Sequence, residues 1–378
     1  MAKSGIKTAN ADYERWLKKQ LRGKFVVEDF EEKHEKMSGG AFPFLRATYW
    51  RWAETILDIC PELAEAPQVL AVGDIHLENY GTWRDDDGRL IWGVNDFDEA
   101  AVMPYALDLV RLATSATLAQ LEFGYSIDIC GAILRGYNGG LARPRPFVMD
   151  EGHAWLRDLL VVKEKKRKKF WRDIDAKKAS KDLPPERYRS AIAAAMPEAG
   201  IAITKYYPSQ AGTGSLGRPR WVGVTEWRGG RVLREAKALV PSGWTRAQGL
   251  QTPYLHVQEI ANGRYRAPDP WYSANDRLVV RRLSPNNRKI QVEKEPKVLL
   301  EPRMLTAMGH ELANIHLGTG DHRLAIRHDL AQRKNRWLRD ATTAATAFVM
   351  EEYEKWSGKP AAVARATARP SDAASLRG

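Results

Sequence analysis

The sequence predicts an α+β fold in which a mostly helical part and a β-rich part are carried by different stretches of the chain. Three observations predict it. Apolar positions recur at helical spacing over residues 11–67 (Tyr13, Trp16, Leu17, Leu21) and from Pro104 to about Phe123 (Leu107, Val110, Leu112, Ala113, Leu118). Residues 200–240 differ in texture, being rich in Gly, Trp, Val and Thr, with Arg228-Gly229-Gly230-Arg231 as a hairpin turn. Two short apolar runs, 69–72 and 91–94, flank Asp85-Asp86-Asp87-Gly88 and read as two strands joined by a tight connection.

The remaining elements follow in order. Gly39-Gly40 interrupts the first helical region, and Phe42, Phe44 and Leu45 lead it into the core. Residues 153–197 are helical and charged, broken at Pro184-Pro185, and 246–261 is a candidate helix. Residues 276–293 suggest a second hairpin, 278–283 against 289–292, turning at Ser284-Pro285-Asn286-Asn287. Two long helices are expected at 302–317 and 328–356, then a disordered tail from Lys359, rich in Ala, Arg, Pro and Ser. The expected units are 1–199, 200–298, 299–358 and 359–378.

Composition narrows the function classes. The 378 residues are 44% hydrophobic and 28% charged, ordinary for a globular chain. No run of about 18 apolar residues occurs, and residues 1–10 lack the apolar core of a secretory signal. Cys60 and Cys130 are the only cysteines, which excludes a disulfide framework. A reduced cytoplasmic protein without a membrane partner is expected. The net charge of +12 favours polyanionic partners without choosing among them. The basic run 163–169, followed by Phe170 and Trp171, suits nucleic acid, but a solvated helix face anchored by Trp155, Leu159 and Val162 is favoured.

The chemistry is concentrated in Gly73-Asp74-Ile75-His76-Leu77-Glu78-Asn79 and Val94-Asn95-Asp96-Phe97-Asp98-Glu99-Ala100. Each acid follows an apolar strand, where loops build sites. Asp74 and Asn79 are five positions apart, so one loop can offer a carboxylate and an amide, and Asp96 returns 22 positions after Asp74. Oxygen ligands of this kind, Asn79 and Asp96 with Asp98, suit Mg²⁺. Asp74 is then free to accept a proton from an attacking hydroxyl.

The G-D-x-H-x-x-N string with a later D-F-D resembles the catalytic loop and metal motif of the aminoglycoside and choline kinase group, within the protein-kinase-like superfamily. The resemblance implies Asp74 as base and Asn79 and Asp96 as metal ligands bridging to nucleotide phosphates. It extends to Pro104-Tyr105-Ala106-Leu107-Asp108-Leu109, where Asp108 is expected to cap and brace the loop, as is His76. Val72 stands where those kinases usually have His. The chain also resembles the bacterial domain-of-unknown-function 2252 family, through Phe42-Pro43-Phe44-Leu45-Arg46, the string ending Tyr80-Gly81, Asn95 to Ala100, Gly214-Ser215-Leu216-Gly217 and Arg234-Glu235-Ala236.

These resemblances imply a two-lobed kinase-like fold with a helical catalytic lobe and an antiparallel β nucleotide lobe. Residues 1–72 hold neither a glycine loop in a β context nor a strand lysine, so permuted order is expected, with ATP bound by 200–298. Gly212-Thr213-Gly214-Ser215-Leu216-Gly217 is the candidate phosphate loop, because glycine lets backbone N–H groups approach phosphates. Gly212, Gly214, Ser215 and Gly217 are its candidate contacts, against the alternative of a glycine-rich hairpin. The resemblance puts Arg234 at the usual lysine position, with Lys237, on the opposite strand face, as second choice. Glu259 is the candidate partner of that cation, and Arg46 either contacts phosphate or braces the acidic loop. Arg281 and Arg282 read as strand residues.

The expected function is ATP- and Mg²⁺-dependent phosphoryl transfer to a small-molecule acceptor. The alternatives are a pseudokinase or nucleotide- or partner-binding protein without turnover, favoured by Arg234 in place of Lys, and nucleotidyl transfer. A metal hydrolase on Asp74, His76, Asp96 and Asp98 lacks the usual number of His and carboxylate ligands.

Overall fold

The computed structural model describes residues 4–22, 24–209, 214, 216–250, 254–275 and 277–361. It has a mixed α+β architecture with small antiparallel sheets. Helices Ile6–Gln20, Val27–Ser38, Ala41–Ala47 and Tyr49–Ile59 open the chain. The first buries Ile6, Ala9, Tyr13 and Leu17, one stripe at helical spacing. Its Tyr13 ring stacks on Trp50 of the fourth at 4.8 Å.

Strand β1 (Gln68–Ala71) is buried after its first residue and pairs antiparallel with β4 (Ala101–Pro104), Leu70 opposite Val102. Between them lie β2 (Tyr80–Arg84) and β3 (Leu90–Val94), with β5 (Phe147–Val148) beyond β3. The Asp85–Gly88 turn therefore joins β2 to β3, and the expected pairing of 69–72 with 91–94 does not form. Gly81 and Thr82 interrupt the apolar run of β2, so this strand gives little signal in the sequence.

Helix Tyr105–Phe123 follows β4 and is buried almost all round, ending at Gly124 in the left-handed region (φ 71°). It packs with Ile129–Ala142, Pro302–His316 and Trp337–Ser357 to make the helical core. Two shorter helices, Ala154–Leu160 and Glu164–Asp175, lead to Glu186–Ala194.

The larger sheet runs β6-β7-β8-β10-β9, from β6 (Lys205–Pro208), β7 (Arg220–Trp227), β8 (Gly230–Ala238), β9 (Ser273–Asn275) and β10 (Leu278–Leu283). The turn at 228–229 forms the β7–β8 hairpin as the glycines anticipate. The second expected hairpin does not form. β10 pairs with β8 on one side and β9 on the other, and Lys289 crosses to bridge Gly81 in β2. The candidate helix 246–261 is instead Gly243–Ala247 and Val257–Ala261, with Gly249 at φ 64° ending the first. The expected helix 328–356 is split into Arg323–Gln332 and Trp337–Ser357 where Arg333 turns extended. Residues 362–378, most of the expected tail, lie outside the described residues.

Candidate functional site

Val72 and Gly73 follow β1, and their amides donate to Asp108 at 2.8 and 3.0 Å. Gly73 sits at φ 80°, and a Cβ there would lie 2.6 Å from the Tyr49 hydroxyl, so only glycine fits this turn. Asp108 also meets His316 Nε2 at 3.1 Å, and His316 Nδ1 lies 2.9 Å from the Tyr137 hydroxyl. His76 caps the following turn, its Nδ1 accepting from the Glu78 amide at 3.1 Å. Burial, with Arg46 and Arg111 nearby, holds the His76 imidazole well below its ordinary pKa and therefore neutral.

Asp74 is thereby presented with its two oxygens in different settings. Oδ1 accepts from Arg111 Nη2 at 2.5 Å and Nε at 3.2 Å. The Arg111 guanidinium lies 4.9 and 5.2 Å from the Tyr49 and Trp52 rings. Oδ2 faces Gly214, where a Cβ would lie 3.1 Å from it and 3.0 Å from the Arg46 carbonyl. Burial raises the Asp74 pKa, and Arg111 offsets only part of that rise.

Asn79 ties the two motif segments together. Its amide nitrogen donates to the carbonyls of Asp74 (3.2 Å) and Asp96 (3.1 Å), leaving the amide oxygen as the side chain's remaining group. Asp96 Oδ1 lies 3.4 Å from Lys237 Nζ, and Asp98 Oδ2 pairs with the same ammonium and with Arg218 at 3.2 Å. Burial pushes Asp96 up, but Lys237, Lys289 and Arg281 outweigh it and hold the carboxylate well below the ordinary range. Asp98 is raised by burial and by its neighbour Asp96. Glu99 binds Arg218 Nη2 and the Gly243 amide, each at 2.6 Å.

The sheet offers the other wall. Strand alternation and register put Arg220, Glu235, Lys237 and Arg281 on one face, with Arg220 opposite Lys237 and Glu235 opposite Arg281. Arg220 and Arg281 both bind Glu235 Oε2, at 2.9 and 2.6 Å, and against burial they hold Glu235 down to about 2. A cavity of about 460 Å³ lies between this wall and the motif segments, lined by Arg46, Asp74, Asn79, Asp96, Gly214 and Lys289 among others.

Asp74, Asn79, Asp96, Asp98, Arg46 and Gly214 thus share one cavity, and Lys237 meets its two carboxylates. Other expected residues are placed elsewhere. Arg234 is on the far face of β8, where its Nε donates to the Ala195 carbonyl at 2.6 Å and its guanidinium lies 4.4 Å from the Trp271 ring. The cation toward the acidic loop is Lys237, three residues on and so on the opposite face. Glu259 is bound to His256 at 3.0 Å and does not pair with either cation. Gly217 (φ 88°) packs against Phe30, away from the cavity, with its amide bound to Asp29 at 3.1 Å. Gly212 and Ser215 lie outside the described residues.

Sequence reasoning missed Arg111, Arg218 and Lys289. The first is one arginine in an apolar helix, a signal available in retrospect; the others sit in loop and post-sheet segments without periodicity. Among the described residues, no group of three or more His, Cys, Asp and Glu side chains is arranged to hold a metal ion. The oxygens that suit a hard cation are the Asn79 amide, Asp96 and Asp98, whose buried Oδ1 has no hydrogen-bond partner among the described residues.

The family model for an uncharacterised protein conserved in bacteria, domain-of-unknown-function 2252, matches residues 26–143. That span holds both motif segments and Arg111 but not the larger sheet. No curated protein and no solved structure matches the chain. No helix of the described residues is long and apolar enough to cross a membrane.

Proposed function

We propose that the chain is an ATP- and Mg²⁺-dependent phosphotransferase of kinase-like, two-lobed build, its lobes in permuted order, acting on a small-molecule acceptor in the cytoplasm. The observation that carries this reading is the meeting of Asp74, Asn79 and Asp96 with Gly214, from a stretch more than a hundred residues away, around one cavity. The five-stranded antiparallel sheet beside it supports a nucleotide-binding role for 200–298.

In this reading Asp74 accepts the acceptor's hydroxyl proton on Oδ2 while Arg111 fixes Oδ1. The new bond joins the acceptor oxygen to the γ-phosphorus, the bond from phosphorus to the bridging oxygen breaks, and ADP departs. Asn79, Asp96 and Asp98 would hold Mg²⁺, which supplies neutralisation of phosphate charge. Lys237, buried against both carboxylates, is the sheet's cation at this point.

A second reading, nucleotide binding without turnover, is favoured by one observation: Lys237 occupies oxygens of both Asp96 and Asp98. Incubation with ATP and Mg²⁺, beside Asp74→Ala and Asp96→Ala, separates the two. Phosphotransfer predicts slow ADP release by the wild type, lost in both variants, with nucleotide binding kept by Asp74→Ala. Nucleotide binding without any ADP or AMP release supports the second reading. AMP transfer, seen as an added nucleotidyl mass on the product, would redirect the chemistry, and no nucleotide binding at all sinks both.

A further inference from the structure

The cations around the cavity are mostly matched by carboxylates. Arg46 meets Glu78 at 2.8 Å, Arg282 meets Asp269 at 3.1 Å and Arg288 meets Glu295 at 2.7 Å. Arg218, Arg220 and Lys237 are matched by Glu99, Glu235 and the Asp96–Asp98 pair. Lys289 lines the same cavity, but its side chain makes no hydrogen bond or ion pair among the described residues.

Lys289 differs from a loose surface lysine because its backbone is stitched to the motif segment. It bridges Gly81; the Arg288 carbonyl accepts from the Thr82 amide at 3.0 Å, and the Arg288 amide donates to the Thr82 hydroxyl at 2.8 Å. Three residues on, the Val292 amide donates to Glu78 Oε1 at 2.8 Å. The side chain itself is exposed, opening into the cavity. Partial desolvation, opposed by Asp96 and reinforced by Arg281, Arg46 and Lys237, brings its ammonium down to about 8.

Two of those neighbours also keep donors in reserve. Arg281 spends only Nε, on Glu235, and its terminal nitrogens have no partner among the described residues. Arg46 spends Nη1 on Glu78, and its other terminal nitrogen has no partner among the described residues. Three cations that repel one another and hold uncommitted donors are stabilised by an anion with several oxygens.

The geometry points to an anion subsite formed by Lys289, Arg281 and Arg46, whose ligand is the phosphoryl group of a substrate. This deepens the proposed function, on which the identity of that substrate rests. Lys237 does not fill this role, because its ammonium is buried against Asp96 and Asp98 and it is not among the residues lining the cavity.

Isothermal titration of the full chain with pyrophosphate, without added metal, tests the subsite. Replacing Lys289 with Gln should weaken binding about tenfold, the size of one lost charge-assisted contact. Lys289→Arg should keep most of the affinity, and Lys168→Gln, on the exposed basic helix, should leave it unchanged. An unaltered far-ultraviolet spectrum and melting point for Lys289→Gln show that the fold is kept. The subsite is refuted if wild-type protein shows no saturable pyrophosphate binding, if Lys289→Gln binds as tightly as wild type, or if Lys168→Gln loses as much. ADP titrations assign the source. An equal loss for ADP places the nucleotide tail there, whereas unchanged ADP affinity, with pyrophosphate still binding to ADP-saturated protein, places the second substrate there. Absent ATP turnover with the Lys289 result intact removes the proposed function alone.

Discussion

Arg111 and Asp74 form an ion pair at 2.5 Å in which the arginine side chain is wholly buried and the aspartate about one-fifth exposed. The pair orients one carboxylate oxygen and leaves the other for the cavity. Its partners come from the middle of a helix and from a strand-end loop, so it also ties the motif segment to the helical core.

Removing Arg111 therefore affects both stability and the carboxylate. Arg111→Met should destabilise the fold by about 3–5 kcal/mol, because Asp74 is left buried without its counter-charge. Asp74→Asn in the Arg111→Met background should recover part of that loss. Urea denaturation of the four proteins in this double-mutant cycle measures it, and simple additivity of the two changes would contradict the pairing.

Asp108 has a different task, holding the backbone just before Asp74. Asp108→Asn puts an amide where two backbone amides and His316 require acceptors, and should cost about 2–3 kcal/mol. Hydrogen exchange should show faster opening at Val72 and Gly73 than at β3. Unchanged protection at those two amides would show that the bonds carry no weight.

The two faces of β8 give a paired prediction. Arg234→Gln should lower stability by about 1–2 kcal/mol through its lost carbonyl bond and ring contact, without altering nucleotide binding. Lys237→Met should tighten Mg²⁺ binding to the nucleotide-free protein by about tenfold, since a competing cation leaves Asp96 and Asp98. Calorimetric titrations with each ligand separate the two variants. An Arg234→Gln protein that folds normally but loses ATP would restore the position first expected.

Lys33 is 1% exposed, with its ammonium 4.9 Å from the Tyr13 ring, and burial lowers its pKa to about 8. A base with a lowered folded-state pKa binds its proton more tightly when unfolded. Its cost to stability is therefore complete below pH 8, shrinks as pH rises toward 10.5, and vanishes above. Lys33→Met should stabilise the protein at pH 7 by up to about 3 kcal/mol, less the lost ring contact. Denaturation at pH 7 and pH 10 checks this: the gain should be smaller at the higher pH, and an equal gain at both would refute the burial account.

The helical part was readable because its signals are local. Tyr13 and Leu17 share a stripe, Pro184-Pro185 breaks a helix, and Gly229-Gly230 marks the β7–β8 turn in the chain itself. Strand partners were less legible. Nothing near residue 70 announces Val102 as its neighbour, and nothing near 289 announces Gly81, since these pairings close loops whose ends carry no mutual signal.

The order of residues alone established the spacing of Asp74, Asn79 and Asp96, the turns that present them and the strand alternation that separates Arg234 from Lys237. Long-range packing settled which of those two cations turns inward, that Arg111 holds Asp74, and that Lys289 joins the cavity. The reason is that alternation defines two faces without saying which is buried, and a register shift of one residue exchanges them. Only the seating of the sheet against the motif segments selects the face.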